Sequence, residues 1–116
     1  MMARIRTIKP SLWGDEKFAR LSRDARLLYI GLVSMADDDG RFLASPSAVI
    51  GYVYPNDDNV TAPKVKRWMG ELTAKGLVTA YEVDGIRYGA HMNYRKHQRI
   101  SHPQASPLPC PQGVLL

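Results

Sequence analysis

The sequence predicts an α+β fold, mostly helical, in which three to four helices precede a C-terminal β-hairpin. Three observations carry this. Residues 61–76, TAPKVKRWMGELTAKG, place Val65, Trp68, Met69 and Leu72 at the i, i+3, i+4, i+7 spacing of one helix face. Gly76 ends that pattern where a helix C-terminus favours glycine. Residues 77–92, LVTAYEVDGIRYGAHM, then hold Asp84-Gly85 between two strand-forming runs, which is the signature of a two-residue primed hairpin turn.

The elements follow in order. Residues 1–10 read as an extended basic arm carrying Arg4, Arg6 and Lys9. Asp15 is placed to cap a short helix bearing Phe18 and Leu21. Ser22 caps the next helix, residues 22–36. Its apolar positions Ala25, Leu28, Leu32 and Met35 are widened by Leu27, Tyr29, Ile30 and Val33, so it belongs at the centre of the core. DDDG at 37–40 breaks it in a turn, and residues 41–44 suit a short strand. Ser45-Pro46 starts another helix, because serine caps and proline tolerates the first helical position. That helix runs to about Val53 and is expected to bury Val49, Tyr52 and Val53. Pro55 and NDDN close it, and Thr61 caps the long basic helix.

The turn sets the hairpin register. It pairs Val83 with Ile86, Glu82 with Arg87, Tyr81 with Tyr88, Thr79 with Ala90 and Leu77 with Met92. One face holds Leu77, Tyr81, Val83, Ile86, Tyr88 and Met92; the other sets Glu82 against Arg87 as a cross-strand ion pair. His91 is expected at the surface. Residues 93–100 are basic, and from Pro103 onward proline, serine and glutamine predominate, as in a loose tail. The expected division is a basic arm at 1–10, a folded domain at 11–100 and a Pro-rich tail at 101–116.

Composition narrows the function. A chain of 116 residues is one domain, and a net charge of +5 favours an anionic partner. The charge is unevenly spread. Residues 37–58 carry Asp37, Asp38, Asp39, Asp57 and Asp58 against Arg41, whereas residues 61–99 carry eight bases against three acids. The single cysteine, Cys110, excludes an intrachain disulfide, which fits a reducing cytoplasm. The charged N-terminus argues against a signal peptide, and no stretch approaches the ~20 apolar residues of a membrane helix, so no membrane association is expected. His91, His97 and His102 lack zinc spacing, and DDDG lacks the alternating acids and later glutamate of a calcium loop. With no P-loop, GxGxxG or nucleophile elbow, no enzyme activity, cofactor or metal is expected.

Helices followed by a two-stranded ribbon are the order of a winged helix-turn-helix, which presents one helix to double-stranded DNA. On a wheel of about 100° per residue, the face of the long helix opposite its apolar stripe shows Pro63, Lys66, Arg67, Gly70 and Ala74, with Lys64 and Glu71 at its margins. Lys66 and Arg67 offer cationic reach, and Gly70 and Ala74 leave room for a groove wall. Arg67 has the fork to pair bidentately with guanine. Lys64, Arg95, Lys96 and Arg99 are expected on phosphates, with Arg87 a further contact from the hairpin. Arg4, Arg6 and Lys9 suit an arm entering a minor groove.

Certain motifs add a resemblance. RIRTIKPSLWGDEKFARLSRDARLLYIGL, then ADDDGRF with ASP, then YP before an acidic stretch, and finally LTAKGLVTAYEVDGIRYGAHMNYRKHQRISHP resemble a family of small proteins of actinobacterial phages and prophages. These are the replisome-organiser-like helix-turn-helix replication-initiation proteins. The resemblance covers roughly residues 3–103; its more specific parts are the K-P-x-x-W-x-D-E opening and the H-Q-x-I-x-x-P close. It implies an N-terminal winged-helix domain that binds origin DNA or self-associates. The C-terminal helicase-loading region of such proteins has no counterpart in PLPCPQGVLL, which points to an isolated domain or a short member. The expected role is therefore DNA binding in phage replication initiation or transcription control.

A second expectation belongs to another class. Winged helices also serve as interaction modules, binding a host or phage replication or transcription protein, or a second copy as a homodimer. The acids Asp37, Asp38, Asp39, Asp57 and Asp58 are the surface that would suit a basic partner.

Overall fold

The computed structural model describes residues 4–111 and the backbone of residues 114–115. It is a small α+β fold. The helices among these residues are α1 (Glu16–Ala19), α2 (Arg23–Met35), α3 (Pro46–Val53), α4 (Ala62–Ala74) and α5 (Tyr94–His97), preceded by a 3-10 turn at Pro10–Leu12. An antiparallel sheet combines β1 (Arg41–Leu43), β2 (Val78–Val83) and β3 (Ile86–His91) in the order β1-β3-β2, with the short β4 (Val114–Leu115) along the outer edge of β2.

Local chemistry explains the helix bounds. The side chains of Asp15, Ser22 and Ser45 each accept an N-terminal backbone N–H of their helix. Pro46 follows Ser45 as the first residue of α3. Thr61 stands at the N-cap of α4 without such a bond. At the other end of α4, the Leu77 N–H donates to the Leu72 carbonyl and the Gly76 N–H to the Thr73 carbonyl, a complete Schellman closure. Gly76 takes φ +70°, the left-handed conformation that this closure requires. α5 has no counterpart among the expected helices.

The hairpin register is the expected one, with Val83 opposite Ile86, Glu82 opposite Arg87, Tyr81 opposite Tyr88 and Thr79 opposite Ala90. Its two faces are used differently from expectation. The face carrying Val78 and His91 turns to the helices, where Phe42 of β1 lies over Gly89. There α2, the most buried helix, contributes Ala25, Leu28, Leu32 and Val33 to a core shared with Val49, Val65, Trp68 and Leu72. The aromatic face carrying Tyr81, Tyr88 and Val83 points away and forms a second cluster with Leu108 of the C-terminal segment. Tyr81 and Tyr88 stack at 5.7 Å. Ile86 and Met92, expected within the apolar face, are half exposed, as is Tyr52, whose hydroxyl meets Ser34 Oγ at 2.9 Å.

Further expectations are corrected by long-range contacts. Within the described residues the C-terminal segment is not loose. The Gln104 N–H donates to Asp38 (2.9 Å) and the Ser106 N–H to Asp39 (2.9 Å), while the Ser106 hydroxyl donates to Asp37. Arg41 donates to the Leu108 carbonyl (2.9 Å) and the Tyr81 hydroxyl to the Pro109 carbonyl (2.7 Å). The aspartates therefore form a cradle for the returning chain rather than an exposed acidic patch; Asp37 and Asp38 are buried. Nor is the basic arm free from residue 4 onward, residues 1–3 lying outside the described residues. Arg6 is buried against Asp38, and Arg4 donates to the Ser101 carbonyl. His91 is buried rather than superficial, ringed by Tyr94 at 5.2 Å, Phe42 at 5.4 Å and Tyr29 at 5.5 Å.

Candidate functional site

α4 is held at both margins of its apolar stripe. Val65, Trp68 and Leu72 bury into the core, and Trp68 packs on Tyr54 at 5.6 Å. Glu71, expected at the edge of the outward face, instead ties α4 to the start of α2. Its carboxylate accepts the Ser22 N–H at 2.8 Å and the Ser22 hydroxyl at 2.6 Å. Those bonds, with the charge of Arg67 behind them, hold the Glu71 carboxyl below the usual carboxylate range against the cost of desolvation. Nothing local signals this contact, because a capping serine normally finds its glutamate within the same turn.

The outward face is the one the wheel gives. Pro63, Lys66, Arg67, Gly70 and Ala74 are all exposed. A Cβ built on Gly70 meets nothing within 4 Å, so the backbone there is open to close approach. Beside it runs a groove of about 150 Å³, lined by Lys66, Met69, Gly70 and Thr73 of α4, Pro46 of α3 and Arg87 of β3. Two of the seven candidate cations, Lys66 and Arg87, thus share one concave surface although they come from different elements. Glu82 faces Arg87 in register, but the expected ion pair is not formed; the ion pairs among the described residues lie elsewhere.

The remaining candidates lie in two other places. Lys64 and Arg67 line a groove of about 350 Å³ with Asp24 and Asp57, a mixed-charge surface, and the Lys64 ammonium donates to the Asn59 carbonyl at 2.8 Å. Arg95, Lys96 and Arg99 line a third groove, of about 480 Å³, together with Lys9. Arg95 is paired with Asp39 at 2.7 Å. From the sequence these three, a basic cluster after the hairpin, are expected on phosphates of the duplex that α4 would read. The register separates them, because α5 follows the open end of the hairpin while Arg87 adjoins its turn.

No group of three or more His, Cys, Asp or Glu is arranged to hold a metal among the described residues, and no helix there is long and apolar enough to cross a membrane. Comparison of the chain with protein-family models, curated proteins and solved structures finds no match.

Proposed function

We propose that this protein is a winged-helix DNA-binding protein of phage or prophage type, acting in replication initiation or transcription control. The observation that carries the reading is the convergence of Lys66 and Arg87 on one groove beside the open backbone of Gly70. The chain order supports it: α2, β1, α3 and α4 precede the β2–β3 hairpin, with β1 paired to β3, an order compatible with a winged helix. In this reading α4 lies in the major groove. Lys66 and Arg67 face it from the N-terminal half of the helix, Gly70 admits the groove wall, and Arg87 reaches an adjacent phosphate. Glu71 fastens the helix to the start of α2.

The rival interaction-module reading loses part of its ground. Asp37, Asp38 and Asp39 already receive the chain's own C-terminal segment, leaving Asp57 and Asp58 for a basic partner.

The test is fluorescence anisotropy of a labelled random-sequence duplex across a salt series. Binding is expected to weaken with a log–log slope of about −0.9 per phosphate neutralised. Lys66→Glu with Arg87→Glu is expected to remove the binding made by the α4 face in a folded protein. Absence of binding by the unaltered chain at low salt overturns the reading.

A further inference from the structure

We propose that the groove between the N-terminal segment and α5 is a second binding site, which takes a phosphodiester backbone separately from the α4 surface. The proposal rests on the DNA-binding reading only for naming nucleic acid as the polyanion.

The groove is built rather than accidental. Residues at opposite ends of the sequence are fastened together there. The Thr7 N–H donates to Gln98 Oε1 at 2.9 Å, Gln98 Nε2 returns a bond to the Thr7 carbonyl at 2.8 Å, and Gln98 is buried. The Lys9 ammonium donates to the Lys96 carbonyl at 3.1 Å. The result is a trough whose lining includes Lys9, Arg95, Lys96, His97 and Arg99 and, among the described residues, no carboxylate. Arg95 spends its charge on Asp39. The side chains of Lys96 and Arg99 meet no acid within ion-pair distance among the described residues. Cations gathered in a concavity raise the local potential and concentrate anions. The lining offers no Phe, Tyr or Trp on which a base would stack. Its chemistry therefore suits phosphates and not bases.

Its position separates it from the α4 groove. At one end of β1, Arg41 faces Ala90 and the His91 N–H donates to the Gly40 carbonyl, beside the turn where Asp39 holds Arg95. At the other end the Ala44 N–H donates to the Arg87 carbonyl, and both residues line the α4 groove. The two grooves thus lie at opposite ends of the sheet. One molecule would hold two segments of nucleic acid.

The experiment is a low-salt calorimetric titration with a duplex of about one helical turn. Two duplexes per chain are expected. Lys96→Glu with Arg99→Glu removes one, and Lys66→Glu with Arg87→Glu removes the other; among the described residues none of these side chains holds the fold through an ion pair. A single duplex bound by the unaltered chain, with an affinity that Lys96→Glu and Arg99→Glu leave unchanged, overturns the proposal and leaves the α4 reading intact. A single duplex weakened alike by that variant and by Lys66→Glu with Arg87→Glu also overturns it, since the cluster would then belong to one continuous interface. Loss of binding only on altering Lys96 and Arg99 supports this groove and sinks the α4 reading. No binding at all overturns both. Displacement of the second duplex by inorganic phosphate at constant ionic strength would reassign the groove to single phosphate groups and overturn the backbone assignment.

Discussion

The guanidinium of Arg6 lies 3.0 Å from the carboxylate of Asp38, and the two side chains are only 4% and 1% exposed. The contact is ionic rather than a well-directed hydrogen bond: Asp38 Oδ1 has no hydrogen-bonded partner among the described residues, while a second Arg6 nitrogen donates to the Ala36 carbonyl at 2.9 Å. Asp38 is the meeting point of both chain ends. It takes the Gln104 N–H on Oδ2 and lies 3.7 Å from Arg4.

Removing one partner of this pair should therefore cost more than the pair itself contributes. Arg6→Met strands a buried carboxylate and is expected to lower stability by about 3–5 kcal/mol in urea unfolding. Adding Asp38→Asn keeps an acceptor for Gln104 without the charge and is expected to recover most of that loss. Equal instability of the single and double variants would show that packing, and not the unpaired charge, sets the cost.

Acid should unfold the protein in two stages. Burial pushes His91 down to about 4 from 6.5; the nearby Leu32 carbonyl works the other way, yet neither ring nitrogen has a well-directed partner among the described residues. Between these values the unfolded chain carries the extra proton. Stability is thus complete above about pH 6.5 and falls by up to about 3 kcal/mol as pH drops towards 4. The Gln104 N–H, then Arg6 and Arg4, hold Asp38 below its ordinary value against desolvation, so its contribution is present above that value and lost at still lower pH. Urea midpoints of His91→Phe across this range are expected to lack the upper stage and retain the lower.

The C-terminal segment should open without global unfolding. Tyr81→Phe deletes the bond to Pro109 and is expected to cost about 1 kcal/mol. Hydrogen exchange should quicken at Gln104 and Ser106 before it does at α2. Exchange that changes equally at α2 would mean that the segment and the core unfold as one unit.

Two glycines should respond oppositely to alanine. Gly40 has φ +82°, and a Cβ there would lie 2.6 Å from Tyr94 Cβ. Backbone strain and crowding together are expected to cost about 2–4 kcal/mol. Gly70 is helical and open, so Gly70→Ala is expected to stabilise α4 by about 0.5–1 kcal/mol. The same methyl group should weaken duplex affinity if the groove wall comes close there. Thermal melts beside anisotropy separate the two effects.

What the sequence determined by itself is local. The capping side chains of Asp15, Ser22 and Ser45, the glycine closure of α4, the hairpin register and the outward face of Lys66, Arg67 and Gly70 depend on neighbours within one turn or one strand pair. Backbone geometry repeats over that range, so spacing suffices to read them. The tertiary structure decided everything that required a distant partner. Alternation along the hairpin shows that its faces differ, but not which one meets the helices; the aromatic face is covered by Leu108 instead. Charge is blind in the same way. Asp37, Asp38, Asp39, Arg6 and Arg95 look like solvated ions until the chain ends return to pair them. His91 looks polar until three aromatic rings close around it. The division of the candidate cations among three grooves has the same origin. A side chain's type states its need for solvation, whereas whether water or protein meets that need is set by contacts remote in the chain.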